Sequence, residues 1–251
     1  MEEYEYGAMY RVEATHWWFV SRRKFVSVLF RSMGLFGKSG KKYRIADIGA
    51  GTGGMIPFLS QYGAVTGVEP NRKGRSFAKK RGIRLVNGSA EKTGLPKNSM
   101  DMACFFDVLY HEGLDDGRAL REASRILKPG GILVITDCAL PYLSGPHDRA
   151  VQGRERYILS ALSGKVQRAG FIPLKKTYTF FFLFPLVCIK RLVDRYIILS
   201  SLMHSDVRPA PWVFQVLCVA VNSVEAMLLP FMSYPWGSSL IIIARKKGAA
   251  R

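Results

Sequence analysis

The chain has 251 residues, of which 48% are hydrophobic, and its 37 lysines and arginines outnumber its 19 aspartates and glutamates. A chain of this size can bury one sizeable core, so it does not need the disulfides that hold very small domains together. The formal net charge of +18 favours an anionic partner, which could be a membrane surface, an anionic substrate or a nucleic acid.

The four cysteines, Cys104, Cys138, Cys188 and Cys218, are scattered along the chain, with no C-x-x-C pair and no histidine at ligand spacing. We therefore expect buried thiols in a reducing compartment and no metal site. The first ten residues are acidic and lack the cationic-then-apolar order of a secretory signal. These features predict that the protein is located on the cytoplasmic side of the membrane.

The N-terminal segment, residues 1–40, is predicted to form a helical cap of one or two helices before the first strand. Its aromatic residues Trp17, Trp18 and Phe19 could cover a ligand as a lid, although aromatic clusters on helices more often pack in the core. His16 and Arg22 could reach polar groups of a substrate or serve the packing of the cap.

The most informative motif follows the first apolar run, which ends at Asp47 and leads into glycines 49, 51, 53 and 54. Gly49, Gly51 and Gly54 satisfy the G-x-G-x-x-G of a dinucleotide-binding turn, whereas Asp47, Gly49 and Gly51, followed by Gly53, satisfy the D-x-G-x-G of an S-adenosylmethionine site. Asp47 favours the second interpretation, because a carboxylate attracts the methionyl ammonium group and repels a pyrophosphate.

Two further features of this motif predict a nucleoside site. We expect a helix to begin at Gly53 and to point its free N–H groups at the ligand. Glu69 ends the next apolar run, at the distance from the glycines where an acid accepts hydrogen bonds from ribose hydroxyls.

Apolar runs and helical patterns alternate after this motif. Strands are predicted over residues 64–68, 83–86, 102–106 and 132–136, and helices over residues 76–81 and 118–127. This alternation predicts an α/β fold with a doubly wound parallel sheet, whose ligands bind beyond the carboxyl ends of the strands. Polar residues follow each of the first four strands, so a site at that edge is expected.

The segments DIGAGTGG, VTGVEP, VNGSAEKTGLPKNSMD, DVLYH and REASRILKPGGILVITD resemble, in this order, the motifs of class I S-adenosylmethionine-dependent methyltransferases of the type-11 group. The resemblance covers residues 43–137 and implies a seven-stranded Rossmann-like sheet with S-adenosylmethionine as the cofactor. The cofactor-binding residues that follow from it are Asp47, Gly49, Ala50, Gly51, Glu69, Pro70, Ser89, Ala90, Glu91, Asp107 and Val108.

The flanking segments EATHWWFVSRRKFV, GPHDRAVQGRERY and EAMLLPFMSYPWGSSLIIIARK resemble a subgroup of bacterial and archaeal methyltransferases that is often associated with polysaccharide and glycolipid synthesis. Together with the charge pattern, this resemblance implies an acceptor site that includes His16, Trp17, Arg22, Arg154 and Arg156. The chain departs from the family pattern at three positions. Ser89 replaces an aspartate that bonds the adenine, Tyr110 replaces a glutamate, and Arg154 replaces a histidine.

These departures have consequences for the site. The adenine contact would pass from Ser89 to Glu91 or to the backbone. If the family residue at either Tyr110 or Arg154 is catalytic, this chain has altered chemistry or a different acceptor.

A hydroxyl acceptor needs a base that takes its proton near the transition state. His111 follows the fourth predicted strand, and His147, Asp148 and Tyr157 follow the fifth. Histidine suits this role because its unperturbed pKa lies near neutrality. We therefore predict these four residues as catalytic candidates, while His111 could instead stabilise its loop and the nearby arginines could be surface charges.

A long segment separates the last two predicted strands, residues 171–178 and 239–245, which should be antiparallel neighbours. Its two apolar stretches are too interrupted to supply the roughly 18 to 20 apolar residues of a spanning helix. They suit helices that lie at a membrane interface or cover a pocket, or helices that pack on the core or on a second subunit. The predicted organisation is a cap (1–40), a methyltransferase core (41–179), a helical insertion (180–236) and a final strand with a basic tail (237–251).

The sequence therefore predicts an S-adenosylmethionine-dependent methyltransferase that acts on a hydroxyl of a glycan, glycolipid or other membrane-associated small molecule. The expected location is the cytoplasm or the inner face of an anionic membrane, and nucleic acid ranks lower as a partner because no RNA-binding motif accompanies the basic residues. The alternatives are an NAD(P)-dependent oxidoreductase, an RNA methyltransferase and a non-catalytic scaffold that binds the cofactor.

Overall fold

The computed structural model describes residues 3–36, 42–196 and 209–248. Within these residues the sheet consists of β1 (Tyr43–Ile48), β2 (Gly63–Val68), β3 (Met100–Phe106), β4 (Leu127–Cys138), β5 (Phe171–Thr179) and β6 (Ser239–Lys246). The α-helices are α1 (Glu3–Val12), α2 (Trp17–Ser32), α3 (Ile56–Leu59), α4 (Arg72–Lys80), α5 (Asp116–Ile126), α6 (Pro146–Ala150), α7 (Leu159–Arg168), α8 (Phe184–Tyr196) and α9 (Trp212–Leu228).

The strands are ordered β2-β1-β3-β4-β6-β5 across one mixed sheet. The first four strands of this order are parallel, whereas β6 is antiparallel to both β4 and β5. The chain leaves β1 toward one edge of the sheet and returns to add β3 on its other side. This reversal creates a crevice beyond the carboxyl ends of β1 and β3, where open α/β sheets bind their ligands.

The centre of the sheet is apolar on both faces. All seven residues of β3 are buried, as expected for a parallel strand that helices cover on each side. Phe105 of β3, Ile135 of β4 and Ile242 of β6 are fully buried. This rigid core fixes the strand ends that carry the polar residues of the crevice.

The prediction of seven strands is wrong for the described residues, which contain six. The missing element is the segment 83–86, of which only Val86 makes a bridge to β2. The Val86 N–H donates to the carbonyl of Gly67, and the Val86 carbonyl accepts from the N–H of Glu69. Both hydrogen bonds involve this one residue at the edge of the sheet, so the ladder is too short to form a strand.

The helical cap and the insertion meet on one side of the molecule. Helix α2 packs along α9 through polar contacts, in which the Trp17 N–H donates to Gln215 Oε1 at 3.1 Å and Asn222 Nδ2 donates to Ser21 Oγ at 3.0 Å. Phe180, which directly follows β5, is 2% exposed and packs against the rings of Trp18 and two other aromatic residues of α2. The insertion is thereby attached to the cap through both apolar and polar contacts.

The insertion contains α8 and α9, and residues 197–208 between them lie outside the described residues. None of the described helices combines the length and the apolar character that crossing a membrane requires.

Candidate active site

A cavity of about 800 Å³ lies beyond the carboxyl ends of β1 and β3. This volume falls within the range of about 300 to 1,000 Å³ that is typical of small-molecule sites. Each of the predicted cofactor residues lines it: Asp47, Gly49, Ala50, Gly51, Glu69, Pro70, Ser89, Ala90, Glu91, Asp107 and Val108. The structure therefore brings together in one cavity residues that the sequence spreads over about 60 positions.

The floor of the cavity is the turn after β1. Gly49 has a φ of 77°, and a Cβ atom there would lie 2.5 Å from Val108 Cγ2 on the loop after β3. The N–H groups of Gly49 and Ala50 both donate to the carbonyl of Val68, at 2.8 and 3.0 Å. Only glycine combines this backbone conformation with so close an approach of two loops.

The expected helix start at Gly53 is wrong. Gly53 has a φ of 81°, which cannot continue a helix, and α3 begins only at Ile56 and contains four residues. The Gly53 N–H donates to the carbonyl of Ala50, and the Gly51 N–H donates to Glu69. These N–H groups hold the turn together, so the site does not depend on a helix N-terminus.

Glu69 is held as a fixed acceptor at the end of β2. Its Oε2 accepts from the N–H of Gly51 at 2.8 Å, and its Oε1 accepts from the N–H of Asn71 at 2.9 Å and from the hydroxyl of Tyr6 at 3.3 Å. Burial raises the pKa of Glu69, while the two backbone donors oppose that shift. A carboxylate has about four lone-pair sites, so Glu69 retains capacity for a hydroxyl of a ligand.

Asp47 is the least satisfied acid of the cavity. It is 1% exposed, and its Oδ2 has no hydrogen-bond partner among the described residues. Burial raises its pKa to about 7, although the guanidinium of Arg22 pulls it down. A buried carboxylate without a donor is costly unless a cation or a hydrogen-bond donor approaches it. This residue therefore fits the ammonium group of S-adenosylmethionine.

Arg22 was predicted to bind the acceptor, and the structure pairs it with Asp107 at the end of β3. Its guanidinium lies 4.7 Å from the ring centroid of Trp18 and 5.3 Å from that of Phe19. Burial raises the pKa of Asp107, and the charge of Arg22 opposes the shift. Arg22 lines the cavity, so this ion pair forms part of its polar wall.

His16 and Trp17 also line the cavity, where α2 begins. His16 is buried, and its Nδ1 accepts from the N–H of Trp18 at 3.3 Å, so it is the N-cap of α2. The Trp17 ring packs edge-on against Phe180 and Phe214. Both side chains therefore stabilise the cap while they border the cavity.

His111 is the one predicted catalytic residue whose described side chain lines the cavity. It lies on the loop after β3, which a bridge between His111 and Gly153 attaches to the neighbouring loop. Tyr110, which replaces the family glutamate, is 4% exposed, and its ring centroid lies 4.5 Å from that of His111. The position of His111 allows it to meet an acceptor.

Asp148 influences the cavity only indirectly, because it binds the side chain of Arg156. The Nε of Arg156 donates to Asp148 Oδ1 at 2.8 Å, and Asp148 Oδ2 accepts from the N–H of Gly145 at 2.8 Å. Arg156 lines the cavity, but Asp148 does not. The side chain of His147 lies outside the described residues.

Tyr157 and Arg154 do not line the cavity. The buried hydroxyl of Tyr157 lies 2.9 Å from the carbonyl oxygen of Leu109 and 2.7 Å from Asp116 Oδ2, and it can donate its one proton to either acceptor. Arg154 donates to the carbonyl of Leu114 at 2.9 Å and forms an ion pair with Asp116. Both residues thus fasten the loop after β3 to α5, outside the lining of the cavity.

The described residues offer one group of three adjacent metal-ligand types, Asp107, Asp137 and Cys138, whose ligand atoms lie within 4.8 Å of one another. Asp107 is paired with Arg22. Asp137 accepts from the N–H groups of Leu109 and Cys138 at 3.0 and 2.9 Å. These contacts indicate that the three residues lie close together because they anchor the loops after β3 and β4.

Sequence reasoning missed the contribution of α1. Tyr6, Met9 and Glu13 line the cavity from this helix and its C-terminal end. Glu13 accepts from the hydroxyl of Thr52 in the glycine turn and from Arg81 Nη2 at 2.7 Å. The spacing of these three positions, which places them on one face of a helix, was the available signal.

The outer part of the cavity corresponds to one of the roles predicted for the insertion, that of covering a pocket, although its individual residues were not predicted. It is formed by the insertion, and its lining includes Val187, Lys190, Arg191, Pro209, Ala210, Pro211 and Phe214. These residues come from α8, from the start of α9 and from the segment that precedes α9. One cavity therefore extends from the glycine turn to the helical insertion.

Residues 46–135 match a family described as a methyltransferase domain, Methyltransf_11. Among curated proteins, the glycine/sarcosine/dimethylglycine N-methyltransferase of Actinopolyspora halophila is 33% identical over 105 residues, which cover 38% of this chain and 18% of that protein. The chain spans less than half the length of the curated relatives it matches. At the level of this domain, the prediction of an S-adenosylmethionine-dependent methyltransferase and of its cofactor is confirmed.

Solved structures agree with the fold. An S-adenosylmethionine-dependent methyltransferase of Thermotoga maritima, described as a possible histamine N-methyltransferase, superposes with a TM-score of 0.57 at 24% identity, covering 96% of this chain and 99% of that chain. A phosphoethanolamine N-methyltransferase of Haemonchus contortus, solved with S-adenosylmethionine, has a TM-score of 0.57 at 18% identity, with coverage of 89% and 52%. At these identities the likeness shows the α/β fold.

Proposed function

We propose that this protein transfers the methyl group of S-adenosylmethionine to a hydroxyl of a glycan, a glycolipid or another membrane-associated small molecule. The observation that carries the choice of donor is the buried carboxylate of Asp47, a residue that lines the cavity beside the glycine turn and whose Oδ2 has no partner among the described residues. A cationic amino group satisfies such a carboxylate, whereas a pyrophosphate would be repelled by it.

Different residues on the cavity floor would hold different parts of the cofactor. Asp47 would bind the methionyl ammonium group, and Glu69 would accept hydrogen bonds from the ribose hydroxyls. Ala90 and Glu91 lie on the loop beyond β2, where the adenine is expected. Ser89 Oγ accepts from the N–H of Lys92 at 3.1 Å within the turn of that loop. The adenine contact therefore falls to its neighbours.

When bound, S-adenosylmethionine supplies a sulfonium methyl group that is already activated for transfer. The protein must then align an acceptor and exclude water. Trp17 and Phe106 present apolar walls to the cavity, and Arg156 presents a cation that Asp148 orients. An acceptor with both apolar and anionic parts suits these surroundings.

His111 is the residue we propose as the base for a hydroxyl acceptor. It borders the cavity on the loop after β3, and a neutral imidazole can take the proton that the hydroxyl loses during transfer. Asp148 and Arg156 serve to bind and orient the acceptor. We assign Tyr157 a structural role, because its hydroxyl is engaged away from the cavity.

Calorimetric titration tests the donor. S-adenosylhomocysteine should bind, and oxidised NAD should not, because Asp47 faces the ligand. Binding of the dinucleotide alone would instead support an oxidoreductase. His111→Gln should retain the affinity for S-adenosylhomocysteine, because His111 is proposed to act on the acceptor. Arg156→Gln is the variant that tests acceptor binding.

Labelled S-adenosylmethionine tests the acceptor. Cell fractions are incubated with the protein, and the label is followed into lipid, sugar, amine and RNA pools. We expect the label in the lipid or glycan pool. Label that disappears from the RNA pool after nuclease treatment would support an RNA methyltransferase, and the absence of label from every pool would support a non-catalytic scaffold.

N-methylation of a small amine is the second candidate. It is favoured by the curated relative from Actinopolyspora halophila, whose name assigns it glycine, sarcosine and dimethylglycine. An amine acceptor that is already neutral needs no strong base, so His111→Gln would lose little activity toward it. Mass spectrometry of the methylated product, which distinguishes an amine from an ether, decides between the two candidates.

We also propose that the protein works at the cytoplasmic face of a membrane. Two observations support this proposal. The chain carries a formal net charge of +18, and the insertion exposes many large apolar side chains. The partners that follow are a lipid-linked or glycan substrate and an anionic lipid surface.

A further inference from the structure

Helix α9 has an unusual distribution of polar and apolar residues. Its polar residues Asn222 and Glu225 are fully buried, whereas its outward side is apolar. The outward residues are Trp212, Val213, Val216, Leu217, Val224, Met227 and Leu228, each more than a third exposed. Helix α9 contains no lysine or arginine, and its one acid is the buried Glu225.

The buried polar residues explain how α9 is held with this side outward. Asn222 Nδ2 donates to Ser21 Oγ of α2 at 3.0 Å, and Glu225 Oε2 accepts from the N–H of Phe182 at 3.3 Å. These bonds fix the rotation of the helix about its own axis. The outward apolar side therefore belongs to the folded state, and a contiguous exposed apolar surface of this kind marks an interaction site.

Helix α8, which also borders the cavity, exposes apolar side chains as well. Leu186, Ile189 and Val193 lie at helical spacing and are about half exposed, at 49%, 58% and 46%. Lys190 lies in the same stripe, with a side chain that is 51% exposed. We call the exposed apolar residues of α8 and α9 together the apolar face.

Cations border this face. The ammonium group of Lys24 donates to Ser223 of α9, and that of Lys175 donates to the carbonyl of Met232 just beyond α9. Lys190 and Arg191 of α8 share the one carboxylate of Asp194, so this pair of basic residues adds one net positive charge. An apolar surface with lysines at its border suits an anionic bilayer, which accepts apolar side chains while its headgroups attract cations. The exposed Trp212 is typical of such an interface.

The apolar face adjoins the candidate active site. Lys190 of α8 and Phe214 of α9 line the outer part of the cavity, as does the segment 209–211 before α9. A surface seated on lipid at α8 and α9 would therefore hold the mouth of the cavity beside the headgroups. An amphiphile could then reach the cavity with its head while its apolar part remains in the bilayer.

We propose that the apolar face docks on an anionic lipid bilayer and that the methyl acceptor is an amphiphile of that bilayer. The second part rests on the proposed function. A second copy of the chain is disfavoured as the occupant, because two chains of charge +18 repel each other.

Vesicle flotation tests the docking surface. The probe consists of vesicles with equal parts phosphatidylglycerol and phosphatidylcholine, compared with vesicles of phosphatidylcholine alone. The variant combines Trp212→Gln, Val216→Gln and Leu217→Gln, three exposed positions that do not line the cavity. The control is Ile172→Gln on β5, which is 51% exposed outside the apolar face.

The wild-type protein and Ile172→Gln should float with the anionic vesicles and only weakly with the neutral ones. The triple variant should lose at least about tenfold in partitioning, because three apolar side chains no longer enter the lipid. Its affinity for S-adenosylhomocysteine should stay within about twofold of the wild type, which shows that it is folded and that its donor site is intact.

Equal flotation of the triple variant and the wild type would overturn the docking surface. A concentration-dependent dimer in light scattering that the triple variant abolishes would also overturn it, in favour of a second copy. Failure to bind S-adenosylhomocysteine would contradict the proposed function and leave the flotation result to be judged by itself.

The acceptor is tested with labelled S-adenosylmethionine and vesicles of total membrane lipid. We expect label in the organic phase, and less of it with the triple variant than with Ile172→Gln. Label that appears in water-soluble material at equal rates for both variants would overturn the lipid acceptor.

Discussion

The buried acids around the glycine turn differ in how they are satisfied. Glu69 accepts backbone N–H groups, Glu13 is paired with Arg81, and Asp107 is paired with Arg22. Asp47 and Asp107 each have one carboxylate oxygen without a partner among the described residues, but only Asp107 compensates through an ion pair. We infer that the other acids build the site and that Asp47 is reserved for the ligand.

Asp47→Asn should make the ligand-free protein more stable in a pH-dependent way. The pKa of Asp47 is about 7 in the folded protein, against 3.8 for the unperturbed group. The folded state therefore binds more protons than the unfolded state between these values, so wild-type stability falls as the pH rises from about 4 to 7. The variant lacks this loss and should gain up to about 4 kcal/mol relative to wild type by pH 7. Urea unfolding at several pH values measures the difference, and a constant difference would contradict the prediction.

The same substitution should weaken binding of S-adenosylhomocysteine by roughly 10- to 100-fold at pH 8. The reason is that a neutral amide replaces a charged acceptor, whose hydrogen bond is worth about 1.5 to 3 kcal/mol. Calorimetric titration measures the affinity. Ile172→Gln on β5 provides the control, because Ile172 is 51% exposed and does not line the cavity. Unchanged affinity in Asp47→Asn would remove Asp47 from the cofactor site.

Tyr157→Phe tests whether this residue is structural. The substitution removes the hydroxyl that contacts Asp116 and the carbonyl of Leu109. We expect a loss of about 1 to 2 kcal/mol in unfolding free energy, with the affinity for S-adenosylhomocysteine unchanged. Methyl transfer measured with saturating donor should also persist. Its complete loss in a folded variant would restore Tyr157 as a catalytic residue.

At the scale of single residues, the sequence identifies the acids of the motif and not their partners. Asp47 and Glu69 could be located because the strand ends and the glycines fix their positions along the chain. The pair between Arg22 and Asp107 joins residues 85 positions apart, and no local pattern announces it. For the same reason Tyr157 was predicted to be catalytic, although its hydroxyl contacts the carbonyl of Leu109 in the loop after β3 and Asp116 of α5.

Among the elements, α1 shows how the cap reaches the glycine turn. Glu13→Ala should lower the unfolding free energy by about 2 to 3 kcal/mol, because Arg81 and Thr52 lose a buried partner. The same change should loosen α1, weaken S-adenosylhomocysteine binding and expose residues 3–15 to proteases. Tyr4→Ala on the exposed side of α1 is the matched control. If both variants behave alike, the cap does not support the site through Glu13.

Helices and strands were predicted well where apolar runs are long. They were predicted less well where hydrogen bonds to a neighbouring strand decide whether a segment forms part of the sheet. The strands that form the centre of the sheet, β3 and β4, were recognised from uninterrupted apolar runs. Segment 83–86 is shorter and contains Arg84, and at the sheet edge it makes only one bridge. The apolar stretches of the insertion left a membrane interface and packing on the core as alternatives, and Phe180, the first residue of the insertion, is buried against α2.

For the whole molecule, the exposed apolar residues of α8 and α9 lie beside Lys24, Lys175 and Lys190. The sequence indicated both features, but it could not show which side of α9 faces outward. That orientation follows from contacts of Asn222 and Glu225 with distant residues. The apolar face is therefore a property of the assembled molecule, and its two components should respond differently to salt.

Salt should separate the electrostatic from the apolar part of vesicle binding. Raising the salt concentration from about 0.1 M to 1 M shortens the Debye length from about 10 Å to 3 Å, so the attraction between the lysines and anionic headgroups weakens. Each lysine near the surface contributes about 1 kcal/mol, so flotation of the wild-type protein should fall by at least about tenfold.

The double variant Lys24→Gln with Lys175→Gln should show a weaker salt dependence, because both lysines border the apolar face. The apolar contribution does not depend on screening, so the residual flotation at high salt should disappear in the triple variant of α9. Salt-independent flotation of the wild type would show that charge does not guide this protein to the lipid surface.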